Sequence, residues 1–247
     1  MIWCLLLCVW HCLNRCSTPN ETPILIAIVV VVALLAFGLY QGLVAAPTEQ
    51  TMGDVQRIFY YHVPSAWTGI LLFLANFIAS IWYLFRRTSV SDSIAVTTAE
   101  VGLVFWTIVL ITGPIWARPV WGIWWTWDAR LTSTLVLWLI YVSYLFVRRF
   151  SSGGQTAVLA AALAVFGFAD VPFVYLSIWF FRTQHPQPVI GGGGKLDPAM
   201  WHAVLYNWLA FIAFALLLCW FRYQLERKQR DVEETLALES LLEGSPR

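Results

Sequence analysis

The chain has 247 residues, of which 60% are hydrophobic and 12% are charged, and its formal net charge at pH 7 is +1. A soluble domain is nearer about 45–50% apolar and about 25% charged, so this composition indicates a polytopic membrane protein. The small net charge provides no basic stripe to neutralise phosphates, which argues against nucleic acid as a partner.

The first 23 residues are interpreted as an extension without an assigned role. Four cysteines recur there at every fourth position and would lie along one helical stripe; they are Cys4, Cys8, Cys12 and Cys16. One alternative is a metal-binding helix with His11 as a further ligand. Another is a signal peptide, although a basic start and a small-residue cleavage site are missing. The chain contains no CxxC or CxxCH motif, which excludes a thioredoxin-type dithiol and a covalent c-haem site.

Residues 24–222 are predicted to form a membrane domain with six transmembrane helices, because six apolar runs have spanning length. The predicted spans are Ile24–Ala46, Trp67–Phe85, Ile94–Ile115, Leu131–Val147, Thr156–Phe181 and Met200–Phe221. Glu100 lies near the start of the third span, where a carboxylate favours a helix N-terminus. Residues 223–247 are predicted to be a cytoplasmic tail containing a separate short amphipathic helix.

The basic residues beside the spans predict the orientation of the chain. One side carries eight of them: Arg86, Arg87, Arg148, Arg149, Arg222, Arg227, Lys228 and Arg230. The other side carries five: Arg57, Arg118, Arg130, Arg182 and Lys195. The positive-inside rule then puts both termini in the cytoplasm, so residues 47–66, 116–130 and 182–199 face outward. The predicted fold class is an all-α polytopic membrane protein with both termini cytoplasmic.

The second outward segment, residues 116–130, is unusually rich in tryptophan and also carries charges. Its tryptophans are Trp116, Trp121, Trp124, Trp125 and Trp127, and its charged residues are Arg118, Asp128 and Arg130. Two arginines and one aspartate are too costly for a spanning helix, so the segment is interpreted as an amphipathic shelf at the membrane surface. Such a shelf either offers flat rings to a flat ligand or only anchors the helices.

Two histidines lie in the other outward segments. His62 is predicted just outside the second span and His185 just outside the fifth. Neutral imidazole is a common axial ligand of haem iron, so the pair is compatible with a flat metallocycle held from both faces. His202, one turn into the sixth span, is a rival ligand. Arginine side chains on the same face are candidates to pair with propionates; they are Arg57, Arg118, Arg130 and Arg182.

Asp170 is a separate candidate, because it is an ionisable residue inside the fifth span, two residues before Pro172. Such a residue is a functional candidate by default. The alternative is a polar contact to a backbone group that the proline leaves free. The sequence leaves both interpretations open.

The residues Trp121-Gly-Ile-Trp-Trp-Thr-Trp-Asp-Ala-Arg-Leu-Thr-Ser133 resemble the tryptophan-rich WWD signature of haem-handling proteins. The contexts of His62 (Phe59 to Pro64) and His185 (Arg182 to His185), together with Leu196 to Met200, resemble one branch, protein C of the cytochrome c maturation pathway. The resemblance covers roughly residues 24–222. Gln184, Pro186, the glycines at 191–194 and the cysteine-rich start depart from the family pattern.

The resemblance implies haem b held at the outer face, with His62 and His185 as axial ligands and the tryptophan segment as its platform. It also implies delivery of haem to a membrane-anchored chaperone, beside an ABC-type ATPase and permease and a small single-span subunit. A bacterial inner membrane and a transport or assembly protein, rather than an enzyme, are therefore expected. One alternative is a membrane cytochrome b-like redox or quinone-linked enzyme. Another is a transporter of a different amphiphile, which would be expected to show internal repeats.

Overall fold

The computed structural model of the chain describes residues 21–151, 155–186 and 196–243. Predictions on the four N-terminal cysteines, His11, Lys195 and the glycines at 191–194 lie outside the described residues. The helices are α1 (Glu21–Tyr40), α2 (Phe59–Arg86), α3 (Ser89–Trp121), α4 (Ala129–Phe150), α5 (Thr156–Phe168), α6 (Asp170–Phe180) and α7 (Pro198–Glu243). A π turn, Gln41–Ala45, follows α1, and a 3₁₀ turn, Asp54–Ile58, precedes α2.

Six helical stretches within the described ranges are long and apolar enough to cross a membrane. Five of them correspond to α1 with its π turn, α2 with its 3₁₀ turn, α3, α4 and α7, and the remaining one combines α5 and α6. The described residues contain no strand beyond a single bridge between Glu49 and Gly53. The predicted all-α polytopic class is therefore confirmed, while the side of the membrane on which the termini lie stays a prediction.

The second and third spans begin earlier than the apolar runs predict. The hydroxyl of Thr88 accepts a hydrogen bond from the Ser91 backbone N–H at 3.2 Å and caps α3. Ser91, Asp92 and Ser93 are all buried after this cap, so polar residues here belong to the helix. The start of the third span was predicted at Ile94 because hydropathy assigns polar residues such as these to a loop.

The sixth span continues without a break into the segment predicted as a separate tail helix. α7 has 46 residues and contains neither glycine nor proline after Pro198. Residues 222–243 are rich in Glu, Leu, Arg and Gln, which are strong helix formers. The helix predicted over Glu226–Glu243 is therefore present, but as the continuation of α7 and not as a short helix of its own, since nothing in this sequence ends the membrane helix at Phe221.

The core lies where α2, α3 and α4 meet. Phe73 of α2 stacks on Tyr141 of α4 with ring centroids 3.7 Å apart. Asn76 donates from its side chain to the Ala95 carbonyl at 2.7 Å and accepts from the Tyr141 hydroxyl at 3.2 Å. A Cβ at Gly102 of α3 would come within 2.9 Å of the Phe73 ring, so a glycine is needed for this close approach. This packing fixes the ends of the three helices relative to one another.

One end of the bundle, called here the network end, is held by a group of six charged side chains, called the Asp92 network: Asp92, Glu100, Arg148, Arg222, Glu226 and Arg230. Asp92 accepts from Arg148 at 2.6 and 2.9 Å and from Arg230 at 2.5 Å. These contacts connect the start of α3 with the end of α4 and the middle of α7.

Glu100 belongs to the same network, because it pairs with Arg222 of α7. The prediction that Glu100 serves a helix N-terminus is wrong. α3 begins at Ser89, so Glu100 lies about three turns inside the helix.

Candidate functional site

The opposite end of the bundle, called here the site end, brings together the start of α2, the end of α3, the start of α4 and the segment after α6. The contacts that define it join His62 to Thr112, Arg130 to Val174, and Asp128 to Gln184. Each contact joins residues more than 40 positions apart. The site therefore depends on the fold and not on one sequence motif.

His62 lies in the first turns of α2, four residues into a helix that begins at Phe59. The expectation that it lies in a loop outside the second span is wrong, because the 3₁₀ turn over residues 54–58 leads directly into the helix. Its Nδ1 atom is 2.8 Å from the Thr112 hydroxyl near the end of α3. A helix rather than a loop therefore positions this ring.

His185 lies in a bend of the short segment after α6, just outside the fifth span as the sequence predicted. Its backbone N–H donates to the Thr183 hydroxyl at 3.1 Å, and its Nδ1 is 2.8 Å from the Pro186 carbonyl oxygen. A carbonyl only accepts hydrogen bonds, so Nδ1 carries the proton in this contact. In the neutral ring, Nε2 is then the unprotonated nitrogen.

Asp128 joins three parts of the site end. Its Oδ1 accepts from the backbone N–H groups of Arg130 and Leu131, both at 3.0 Å, and so caps α4. Its Oδ2 accepts from the Thr126 hydroxyl at 2.8 Å and from the Gln184 N–H at 3.4 Å. One carboxylate thus holds together the tryptophan loop (residues 122–128), the start of α4 and the residue before His185.

The protonation state of Asp128 follows from its contacts. Burial is the largest single influence and acts to raise its pKa, but hydrogen bonds from Leu131, Thr126, Thr183 and Gln184 together hold the pKa below its ordinary value. Asp128 is therefore a carboxylate at neutral pH, and its two oxygens remain pure acceptors.

Arg130 lies within electrostatic range of both histidines. Its Nη1 approaches the carbonyl oxygens of Val174 and Tyr175 at 3.4 and 3.5 Å, which are long contacts for a guanidinium. Burial lowers the pKa of His185 to about 3, and the positive charge of Arg130 adds to this effect. His62 is a smaller contributor, so the two rings also lie in electrostatic range of each other. His185 is therefore neutral at physiological pH.

The tryptophan-rich segment divides into a helical and a non-helical part. Trp116 and Trp121 lie in the last turns of α3, with ring centroids 5.3 Å apart. Gly122 ends the helix in the left-handed region at φ 80°, a conformation that glycine adopts without cost. Residues 122–128 then form the connection to α4. The prediction that residues 116–130 are not part of a spanning helix is wrong for residues 116–121, because α3 continues to Trp121.

The non-helical part combines exposed rings with an unused donor. Trp124 and Trp127 are 58% and 76% exposed, whereas Trp125 is half-buried. The indole Nε1 of Trp125 is buried and has no hydrogen-bond partner among the described residues. A buried indole N–H normally finds a partner, so this donor is free for a group that occupies the site.

The arginines predicted to pair with propionates differ in availability. Arg57 already has partners within the protein. It donates to the carbonyls of Gly42 and Ala46, which follow α1, at 3.1 and 3.2 Å, and it also pairs with Asp54. Arg118 is exposed and donates to the Gly122 carbonyl. Arg182 is exposed as well.

Two further candidates are not joined to the histidine pair by any described contact. His202 is exposed on α7, and its ring packs against Tyr206 at a centroid distance of 6.2 Å. Asp170 begins α6 immediately after the break at Ala169, and its Oδ2 is buried without a hydrogen-bond partner in the part of the chain described.

Sequence reasoning missed the residues that hold the histidines and the tryptophan loop in place. Thr112 and Thr183 carry no motif, and only the fold brings them to His62 and His185. The capping role of Asp128 had a visible signal, because an aspartate directly before an apolar run is a helix N-cap signature.

Together, the fold and the site define a polytopic membrane protein with a histidine- and tryptophan-bearing surface at one end of its helix bundle. The sequence model of the family described as heme exporter protein C matches residues 14–237. The chain therefore belongs to the heme exporter protein C family, as the sequence resemblance predicted. Members of this family are transport and assembly components and not catalytic enzymes, which confirms the predicted protein class.

Individual relatives agree with this assignment. Heme exporter protein C of Bradyrhizobium diazoefficiens is 36% identical over 197 residues, which cover 78% of this chain and 74% of the relative. Heme exporter protein C of Escherichia coli K12 is 32% identical over 188 residues, 76% of each chain. A mitochondrial protein of Marchantia polymorpha, whose name assigns it to cytochrome c biosynthesis, is 32% identical over 185 residues, 74% of this chain and 78% of the relative.

Proposed function

We propose that this chain binds haem b at the site end, with His62 and His185 as axial ligands of the iron. The observation that carries the proposal is that the fold anchors two histidines 123 positions apart in sequence at the same end of the bundle: His62 contacts Thr112 near the end of α3, and the residue before His185 contacts Asp128 at the start of α4. The neutral state of His185 and its Nδ1 bond to Pro186 leave Nε2 able to coordinate a metal. Haem supplies an iron that accepts one imidazole nitrogen on each face.

The remaining residues of the site end fit the periphery of a haem. Trp124 and Trp127 offer exposed rings beside the histidine segment, and such rings stack on flat conjugated ligands. The unpaired Nε1 of Trp125 and the loosely bound guanidinium of Arg130 are donors suited to propionate oxygens. Trp116, Trp121 and the exposed Arg118 extend this surface along the end of α3.

The proposal also assigns an orientation and partners. With eight basic residues beside the network end and five beside the site end, both termini are cytoplasmic and the site faces the periplasm of a bacterial inner membrane. Haem is then delivered to a membrane-anchored haem chaperone, in a complex with an ABC-type ATPase and permease and a small single-span subunit. Residues 24–222 carry this role, with residues 1–23 as an extension and 223–247 as a cytoplasmic tail. The family membership supports these roles.

A membrane cytochrome b-like enzyme fits the geometry less well. That class places paired histidines on facing helices within the membrane. Here His62 lies in the first turns of α2 and His185 lies outside the helices. The histidines are therefore placed for exchange of a ligand at a surface.

The experiment that tests the proposal is an absorption spectrum of the purified protein after haem supplementation. Wild type is compared with His62→Ala and His185→Ala, and His202→Ala serves as a matched control because His202 is exposed on α7. We expect a haem band in wild type and in His202→Ala, and its loss or shift in the other two variants. Full retention of the wild-type spectrum in both ligand variants would refute axial ligation by this pair.

A further inference from the structure

Among the described residues, Thr112 is the one side chain that forms a hydrogen bond with His62. Its Oγ1 is 2.8 Å from Nδ1 of His62 and 2.7 Å from the backbone oxygen of Ile108, one turn earlier in α3. The sequence does not distinguish Thr112 from other threonines of α3 whose hydroxyls donate to the backbone carbonyl four residues earlier. Thr98, for example, donates to the Ile94 carbonyl at the same distance of 2.7 Å.

The two contacts of the Thr112 hydroxyl determine where the protons lie. The hydroxyl has one hydrogen, and the carbonyl of Ile108 has none to donate. Two oxygens only 2.7 Å apart repel each other unless a hydrogen lies between them, so the hydroxyl hydrogen points to Ile108. The contact with His62 must then be made by an Nδ1–H group that donates to Oγ1. In the neutral ring this leaves Nε2 without a proton.

His185 reaches the same tautomer by a different route. Its Nδ1 donates to the backbone oxygen of Pro186 at 2.8 Å, and a backbone acceptor cannot be removed by substitution of a side chain. Both rings therefore present the same unprotonated nitrogen, Nε2. Only for His62 is the tautomer controlled by a side chain.

We propose that Thr112 is a positioning residue that holds His62 in the Nδ1–H tautomer and so keeps Nε2 available to a metal. Hydrogen bonds of this kind fix both the tautomer and the orientation of metal-binding histidines. The identity of the metal as haem iron rests on the proposed function, whereas the tautomer is a property of the protein alone. The two parts are therefore tested separately.

The tautomer is tested on the haem-free protein by NMR of labelled histidine side chains at neutral pH. Four histidines are present, and the signals of His62 are assigned by their loss in His62→Gln. We expect Nδ1–H in wild type and in Thr112→Ser, which keeps the hydroxyl. Thr112→Val should show Nε2–H or a mixture of tautomers. The matched control Thr98→Val loses an equivalent backbone bond but no histidine contact, and should keep the wild-type pattern.

Two results would overturn the proposal: Nε2–H at His62 in the wild type, or an unchanged Nδ1–H signal in Thr112→Val. If Thr112→Val fails to fold, Nε2–H at His62 in the wild type would still overturn the proposal.

Haem binding provides the second readout. Removal of a hydrogen bond to a metal-binding histidine typically weakens binding about 10- to 100-fold, so we expect a loss of this size in Thr112→Val and recovery in Thr112→Ser. If wild type binds no haem while the NMR pattern changes as expected, the proposed function fails and the control of the tautomer by Thr112 stands. If wild type binds haem and Thr112→Val binds it equally well, the positioning role fails and the proposed function stands.

Discussion

The two ends of the bundle use polar side chains in opposite ways. At the network end, Asp92 accepts three hydrogen bonds from two arginines at 2.5–2.9 Å, and the remaining acids of the network are also paired. At the site end, the Arg130 guanidinium has contacts of only 3.4–3.5 Å, and the Nε1 donor of Trp125 has no partner among the described residues.

The network end therefore serves the stability of the bundle, whereas the site end offers groups to a ligand. The ion pairs at the network end hold α3, α4 and α7 together, although Nη1 of Arg222 is buried there without a hydrogen-bond partner among the described residues. The site end keeps donors and exposed rings that the fold itself does not use. At the site end an unpaired donor lies beside exposed aromatic rings and two histidines, and it is this combination that suits a ligand.

The largest expected effect on stability comes from removing the charge of Asp92 at the network end. Asp92→Asn removes the charge that compensates Arg148 and Arg230, and loss of one partner from a buried ion pair costs about 3–5 kcal/mol of the free energy of unfolding. Denaturant unfolding followed by tryptophan fluorescence measures this change. The exposed Asp231→Asn is the control and should be near neutral. Equal stability of the two variants would mean that the Asp92 network does not hold the bundle.

The second prediction concerns Asp128, which serves both stability and the site. Asp128→Ala removes the cap of α4, which costs about 1 kcal/mol of stability, and it also releases the loop contacts to Thr126 and Gln184. Haem binding should therefore fall by more than the stability loss explains. Asp128→Asn keeps one acceptor oxygen and should be intermediate. Stability and haem affinity that fall in strict proportion would contradict a separate role at the site.

The third prediction is a pH dependence. The pKa of His185 is about 3, below its ordinary value of 6.5, so between these pH values the unfolded chain binds more protons than the folded chain. Stability therefore falls as the pH is lowered from about 6.5 towards 3, and His185 adds no dependence above that window. Arg130→Gln removes the second cause of the shift and should raise the pKa of His185, although burial keeps it below the ordinary value. An NMR titration of His185 in both proteins measures this, and an unchanged pKa would contradict the influence of Arg130.

The smallest stability effect is expected at the exposed rings. Trp127 is 76% exposed, so Trp127→Ala should change the free energy of unfolding by no more than about 0.5 kcal/mol. Binding of haem or of the chaperone should nevertheless weaken. Trp220→Ala, at an exposed tryptophan of α7, is the control that should affect neither. Unchanged haem content and unchanged chaperone pull-down in Trp127→Ala would assign this ring to membrane anchoring alone.

The sequence predicted the fold class and the number of spans because hydrophobic runs of spanning length dominate the composition. It placed helix boundaries poorly wherever polar residues are buried. The polar run Ser91, Asp92 and Ser93 is typical of a loop in sequence. These residues are helical because Thr88 caps the helix before them and Arg148, distant in sequence, pairs with Asp92.

The candidate site was predictable in its residue types and only partly in its connections. His62, His185 and the tryptophans are conspicuous in sequence, and the structure joins their segments at one end of the bundle through the contacts of Thr112 and Asp128. Thr112 lies 50 positions from His62, and Gln184 lies 56 positions from Asp128. Contacts of this kind depend on how helices pack, which periodicity within a single segment does not encode.

The uninterrupted α7 has a mechanical consequence. At 1.5 Å per residue, its 46 residues form a rod about 69 Å long, more than twice the roughly 30 Å of a hydrocarbon core. No glycine or proline interrupts it after Pro198, and the Asp92 network contacts it at Arg222, Glu226 and Arg230. The ion pairs therefore join the part of the helix that extends beyond a hydrocarbon core to the start of α3 and the end of α4.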